Sequence, residues 1–145
     1  MKYSRRDLSM LLPVAIATVD AVDSAAAQSS PLASKICRYE DLPVHENGPN
    51  KSRPILQGET HAGVPMELHE TELAPGEAAH PPHHHVHDEM LMIREGTLEV
   101  TIAGRVASLG PGSVGFVASN EQHGWRNVGT TRARYYVLAL GRDAG

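Results

Sequence analysis

From residue 66 onward, short apolar runs are separated by turn-forming residues at intervals of roughly ten residues. Leu98, Val100 and Ile102 alternate with polar neighbours, which is the period-two pattern of a strand with one buried face. Runs of similar length read MELHETEL, EMLMIRE, RVASL, SVGFVAS, HGWRN and ARYYVLAL. Many short strands at this spacing favour an all-β fold, either a small barrel or a double-sheet jelly roll, over residues 65–141.

The segment before these runs has a different texture. Residues 28–64 are rich in prolines, and the NGPN sequence at residues 47–50 is a turn signal. We therefore predict an extended N-terminal arm that carries one strand near Ile55 and Leu56. Residues 142–145 form a short tail after the last apolar run.

The first 27 residues have the layout of a bacterial export signal. A basic start is followed by an apolar run at residues 8–19 and by three alanines at residues 25–27. The apolar run is shorter than the ~20 residues that cross a bilayer as a helix. Arg5 and Arg6 resemble the pair of a twin-arginine signal, although Leu8 replaces the larger apolar residue usual there. We expect removal near Ala27 and a periplasmic or secreted protein; the alternative is an amphipathic N-terminal helix of the fold.

Charge and cysteine content narrow the function classes. The formal net charge is −4 and no block of lysine and arginine occurs, which argues against a nucleic-acid partner because such binding depends on neutralising phosphates. Cys37 is the single cysteine, so no disulfide within the chain is possible. We expect Cys37 to be a small, half-buried apolar residue.

The sequence HPPHHHVHDEM at residues 80–90 concentrates five histidines beside two carboxylates. On one extended segment, side chains two positions apart share a face, so His83, His85 and Glu89 would point one way and His84 the other. His123 is the only histidine further along the chain. Imidazole and carboxylate donors suit Mn, Fe, Co, Ni or Zn, and without thiolates they do not favour a closed structural zinc site.

These residues carry a family resemblance. The spacing H-x-H-x3-E-x6-G from His83 to Gly96 resembles the first motif of the cupin superfamily. The sequence GSVGFVASNEQHGWRN at residues 112–127 resembles the second motif, G-x5-P-x-G-x2-H-x3-N. Ala118 stands at the proline position and Asn120 at the second glycine. Asparagine tolerates a positive φ better than most residues, so we expect the turn to form.

The resemblance implies a small single-domain cupin, a double-stranded β-helix barrel of the jelly-roll type. It also implies that His83, His85, Glu89 and His123 bind one divalent transition metal, which is Mn, Fe, Ni, Co or Zn, at a site open to water or substrate.

Other side chains are candidates for the pocket around this ion. His87 shares the parity of the ligands, and His69 faces either the pocket or solvent. Trp125 is either a pocket wall or a core or interface aromatic. Tyr135 and Tyr136 point to opposite faces, so at most one lines the barrel, and Tyr136 is taken as the candidate. Further possible pocket groups are Arg94, Glu99 and Asn127, the last expected to be a structural hydrogen-bonding residue; His80 is assigned to a loop.

The pattern leaves three functions open. The first is a metal-dependent enzyme acting on a small molecule, with a dioxygenase-like oxidoreductase slightly favoured. The second is a metal-dependent isomerase, lyase or hydrolase, and the third is a non-catalytic module that binds a ligand or metal. We expect a homodimer supported by the outward-facing Met90 and Met92, with no nucleic-acid partner and no stable membrane span after processing.

Overall fold

The computed structural model describes residues 31–142, so the predicted export signal lies outside the described residues. These residues form one short 3-10 turn, Tyr39–Asp41, and nine strands. No helix among them is long and apolar enough to cross a membrane. The strands are β1 His45–Asn47, β2 Asn50–Glu59, β3 Pro65–Leu73, β4 Asp88–Glu95, β5 Leu98–Ile102, β6 Arg105–Leu109, β7 Val114–Val117, β8 His123–Asn127 and β9 Ala133–Leu140.

The strands form two antiparallel sheets, as expected for a jelly roll. One sheet has the order β1-β2-β3-β9-β4-β7 and the other has the order β6-β5-β8. Every apolar run recognised after residue 66 is a strand, β3 to β9, and the all-β jelly-roll prediction is confirmed. The strand expected near Ile55 and Leu56 is present as β2, and it pairs with β3. The segment expected to carry one strand also contains β1, which pairs with β2, so two of its strands belong to the larger sheet.

The core lies between the two sheets. Every second side chain of a strand points into this space, because successive residues of a strand face opposite sides of the sheet. Leu91 of β4 and Leu98 of β5 are completely buried, one from each sheet. Burial of such a side chain contributes about 1.5–3 kcal/mol relative to its exposure. Core residues from both sheets are Leu73, Leu91, Ile93, Leu98, Val100, Val117, Trp125, Ala133, Tyr135 and Val137.

Charged residues cover one part of the outer face of the larger sheet. Glu70 is fully buried there and accepts hydrogen bonds from Arg53 at 3.2 Å and Arg94 at 2.9 Å. The ring of Tyr39 lies over both guanidinium groups, 4.9 and 4.7 Å from its centroid, so the N-terminal arm covers this network. The prediction that Arg94 is a pocket group is wrong, because its position on β4 directs it away from the barrel interior.

Asn127 ties the two sheets together at the end of β8 opposite His123. Its side-chain amide donates to the backbone carbonyls of Leu73 at 3.1 Å and Thr131 at 2.8 Å, and its oxygen accepts from the N–H of Gly129 at 2.9 Å. This is the structural role expected for it. Asn120 has a φ of 62°, so the turn does form with asparagine at the glycine position.

Candidate metal centre

The histidine run is a loop and not part of a strand. β4 begins only at Asp88, and the chain bends at residues 86 and 87. The parity argument, which holds for one continuous extended segment from His83 to Glu89, therefore does not apply here. His83 is instead fixed by a two-residue antiparallel bridge to His123, with N–H···O distances of 3.0 and 2.9 Å. Because directly opposed residues of a bridge project to the same side, this pairing brings the two imidazoles together.

Four of the candidate ligands converge between the sheets. The nearest donor atoms of His83, His85 and His123 all lie within 4.8 Å of one another. The Glu89 carboxylate lies 3.0 Å from Nε2 of His85 and 3.9 Å from Nε2 of His123. Two ligands bound at about 2.1 Å from one ion are at most about 4.2 Å apart, so the Glu89 distances allow a shared ion.

Backbone carbonyls orient two of the imidazoles. Nδ1 of His85 donates to the carbonyl of His87, and Nδ1 of His123 donates to the carbonyl of Glu121, each at 2.9 Å. A neutral imidazole carries one proton; with this proton on Nδ1, Nε2 keeps a lone pair that is available to a metal ion, and Nε2 of His85 lies 3.0 Å from the Glu89 carboxylate. This arrangement is the usual support of metal-binding histidines in proteins.

The unpartnered nitrogen atoms in this cluster fit a metal ion. Nδ1 of His83 and Nε2 of His123 are buried without a hydrogen-bond partner. A buried polar atom without a hydrogen bond costs about 1–3 kcal/mol of stability unless another group, such as an ion, compensates for it. Burial and then the neighbouring His80, His123 and His85 lower the pKa of His83, although Glu89 opposes this. The lowered pKa favours the neutral imidazole, which is the form that binds a metal.

An aromatic pair closes one side of the cluster. Trp125 is buried and its ring stacks on His123, with centroids 5.6 Å apart and planes inclined by 26°. Tyr135 meets the indole edge-on at 6.0 Å. The phenol faces Trp125 and Thr71, yet neither its oxygen nor the indole nitrogen makes a hydrogen bond of acceptable geometry. Burial raises the pKa of Tyr135, so its phenol stays neutral in the folded protein.

The prediction that Tyr136 lines the pocket is wrong. Tyr136 lies opposite Glu70 of β3 and Met92 of β4, on the outer face of the larger sheet. Tyr135 occupies the interior because it shares parity with the buried Val137. Both faces of β9 carry apolar residues, so alternation along the sequence did not distinguish them.

The remaining histidines of the run differ in their surroundings. His87 stacks on His85, with ring centroids 3.6 Å apart and planes inclined by 13°. The ring of His80 lies on an exposed loop, 4.1 Å from the ring of His83. His84 is exposed and is absent from the groups of donors that converge.

Two other candidates are not among the donors that converge. His69 projects to the inner face of β3, opposite Val137, and its Nδ1 is 3.2 Å from the carboxylate of Glu67. Glu99 pairs with Arg126 at 3.1 Å. Glu99 lies between buried residues of β5, and Arg126 lies between buried residues of β8, so both side chains point to the outer face of the smaller sheet. The prediction that Glu99 is a barrel-pocket group is therefore wrong.

Comparison with known proteins agrees with this geometry. Residues 69–139 match the family described as "Cupin domain", a segment that contains all four converging donors. The chain has the cupin fold. No curated protein matches the sequence.

Several solved structures share this cupin fold. An RmlC-like cupin from Shewanella frigidimarina has 19% sequence identity and a TM-score of 0.63, over 76% of this chain and 93% of that chain. The polyketide cyclase RemF from Streptomyces resistomycificus has 22% identity and a TM-score of 0.65, over 78% and 83%. A predicted oxalate decarboxylase from Thermotoga maritima has 17% identity and a TM-score of 0.62, over 74% and 100%. At these identities the similarity establishes the fold alone.

Proposed function

We propose that this protein is a metal-binding cupin that holds one divalent transition metal, Mn, Fe, Ni, Co or Zn, through His83, His85, Glu89 and His123. The observation that carries the proposal is the convergence of these donors, which come from a loop, β4 and β8. The buried, unpartnered nitrogens of His83 and His123 support it. The donor set contains no thiolate, which agrees with a site that keeps positions for water or substrate.

We further propose an enzyme that acts on a small molecule, with a dioxygenase-like oxidoreductase as the first candidate. The bound ion would supply Lewis-acid polarisation of a substrate oxygen and, if it is redox-active, electron transfer with dioxygen. Trp125 packs against His123 and excludes water from that side of the donors. The carbonyls of residues 87 and 121 hold the imidazoles of His85 and His123 in place before any ligand binds.

An isomerase, lyase or hydrolase is the second candidate. Proteins that share this fold include a polyketide cyclase and a predicted oxalate decarboxylase, so the architecture accommodates more than one reaction class. Oxygen dependence separates the two candidates. Metal-loaded protein would be incubated with a library of small metabolites in air and under strict anoxia, with products followed by mass spectrometry.

The oxidoreductase candidate predicts product only in air, together with oxygen consumption. Turnover that is unchanged under anoxia would exclude the dioxygenase and favour the second candidate. The exposed His84→Ala variant is the matched control for His123→Ala, which should lose turnover in either case. A small molecule that stays bound through native purification without being converted would instead indicate a binding module.

Export and dimerisation complete the proposal. The arginine pair at positions 5 and 6 and the following apolar run support export through the twin-arginine route to the periplasm or medium. N-terminal sequencing of protein from the periplasmic fraction tests this, and a chain that still begins at Met1 would contradict it. The half-buried Met90 lies opposite the exposed Phe116 on the outer face of the larger sheet, an apolar pair that supports a homodimer.

A further inference from the structure

A row of side chains crosses the inner face of the larger sheet and ends at a proposed metal ligand. Glu67 of β3 is paired with Ala139 of β9, and Ala139 is paired in turn with Glu89 of β4. On its other side, Glu67 is paired with Gln57 of β2. Directly paired residues project to the same side of a sheet, so the whole row shares the inner face with Glu89.

A cleft of about 340 Å³ lies along this row and reaches the donors. His87 stands where the cleft meets them, since its side chain is 14% exposed and its Nε2 lies 3.7 Å from the Glu89 carboxylate. Ala139 has a short side chain, which leaves space between Glu67 and Glu89. The residues that line the cleft are Gln57, Gly58, Glu59, Pro65, Met66, Glu67, His87, Ala139 and Gly141.

The end of the cleft away from the donors is acidic. The side chain of Glu67 is 50% exposed, and its carboxylate lies 3.2 Å from Nδ1 of His69. Within residues 31–142, no arginine or lysine forms an ion pair with Glu67, whereas Glu59 pairs with Arg142 at 3.1 Å. The amide of Gln57, on the neighbouring strand, adds a second acceptor oxygen. Glu67 is therefore the carboxylate of this cleft that remains for a cationic group of a ligand.

We propose that the cleft binds the substrate of the metal centre, a small molecule with a carboxylate or carbonyl oxygen at one end and an ammonium group at the other. This inference rests on the proposed function. The oxygen would bind the ion beside Glu89, and the ammonium group would donate hydrogen bonds to Glu67 and Gln57. A second carboxylate in place of the ammonium group would be repelled by Glu67.

The strand register sets the length of such a molecule. The backbones of Glu67 and Glu89 are two strand spacings apart, which is about 10 Å. A metal–oxygen bond takes about 2.1 Å of this span and a charge-assisted hydrogen bond about 2.8 Å, so about 5 Å remains for the substrate itself. The nitrogen and the carboxylate of 4-aminobutyrate are separated by about this distance, and butyrate is the matched molecule without the ammonium group.

These two probes test the inference without any activity measurement. The full chain would be labelled with 15N, loaded with Zn²⁺ and titrated with each probe in 1H–15N spectra, with the zinc content measured in the same samples. We expect 4-aminobutyrate to shift the signals of Gln57 and Ala139 and to bind about tenfold more tightly than butyrate, because it adds a hydrogen bond between charged groups. Glu67→Gln should remove this preference and keep one Zn²⁺ per chain. Glu77→Gln is the matched control, since Glu77 is exposed and outside the cleft.

The outcomes separate this inference from the proposed function. Equal affinity for the two probes, or no binding of 4-aminobutyrate, in protein that holds one Zn²⁺ would overturn the inference and leave the metal centre intact. A preference that persists in Glu67→Gln would also overturn it. A chain that takes up no Zn²⁺ would overturn both. Should Glu67→Gln fail to fold, the comparison of the two probes on the native protein decides the matter without a variant.

Discussion

Replacing Asn127 by alanine should destabilise the fold strongly without touching a donor. Asn127 is fully buried and makes three hydrogen bonds, with Leu73, Thr131 and Gly129. The substitution would leave the carbonyl of Leu73 buried without this partner, which costs about 1–3 kcal/mol of stability. Each of the other two hydrogen bonds contributes about 0.5–1.5 kcal/mol. We expect a loss of about 3 kcal/mol in the free energy of unfolding, which for a domain of this size lowers Tm by about 12 °C.

Urea unfolding of metal-free protein measures this loss directly. A chelator is required, because ligand binding to the native state would add its own stabilisation. The midpoint should fall while the m-value stays constant, because the substitution removes hydrogen bonds but does not change the surface area that unfolding exposes. Asn47→Ala is the matched control, because Asn47 is exposed on β1. A loss below about 1 kcal/mol in Asn127→Ala, or one equal to the control, would refute the role of Asn127 as the tie between the sheets.

Further predictions concern titration and assembly. Because burial and then His80 lower the pKa of His83, metal-free protein should lose stability as pH falls below 6.5, where the unfolded chain gains a proton that the folded imidazole does not. His83→Gln should show a smaller loss in urea titrations about one pH unit above and below that value, and an equal loss would contradict the reasoning. Burial raises the pKa of Tyr135, so the stability of the fold should decrease above pH 10, where the phenol ionises in the unfolded chain only. Tyr135→Phe should remove this decrease. At neutral pH it should change stability by less than about 1 kcal/mol, because the hydroxyl makes no hydrogen bond. Met90→Glu should convert a dimer to a monomer in light scattering, since it places a charge beside Phe116 on the outer face, and a native protein that is already monomeric would count against the dimer.

The strands after residue 66 could be predicted because each apolar run is bounded by turn residues. Leu98, Val100 and Ile102 identified the inner face of β5 by alternation alone, and the structure confirms it. The packing of the arm could not be found in this way. Tyr39 lies over Arg53 and Arg94, which are distant from it in sequence, and no local pattern encodes such a contact.

The candidate site was located by spacing, although the geometric reasoning behind it was partly wrong. His83, His85, Glu89 and His123 do converge, but a bent loop and a bridge between residues 83 and 123 bring them together, where a strand was expected. Long-range backbone pairing of this kind leaves no periodic signal. Tyr136 was placed wrongly for a related reason, since hydrophobicity on both faces of β9 hides which face is internal.

Elemental analysis of the full chain, purified natively without added metal or chelator, tests the central claim most directly. We predict one equivalent of a divalent transition metal per chain in the native protein and in His84→Ala, because His84 is exposed and outside the converging donors. His83→Ala and His123→Ala should lose this stoichiometric metal, since each removes an imidazole whose nitrogen is otherwise buried and unpartnered. A native protein that binds no metal even after incubation with Mn, Fe, Co, Ni and Zn salts, or full retention in both variants, would contradict the account.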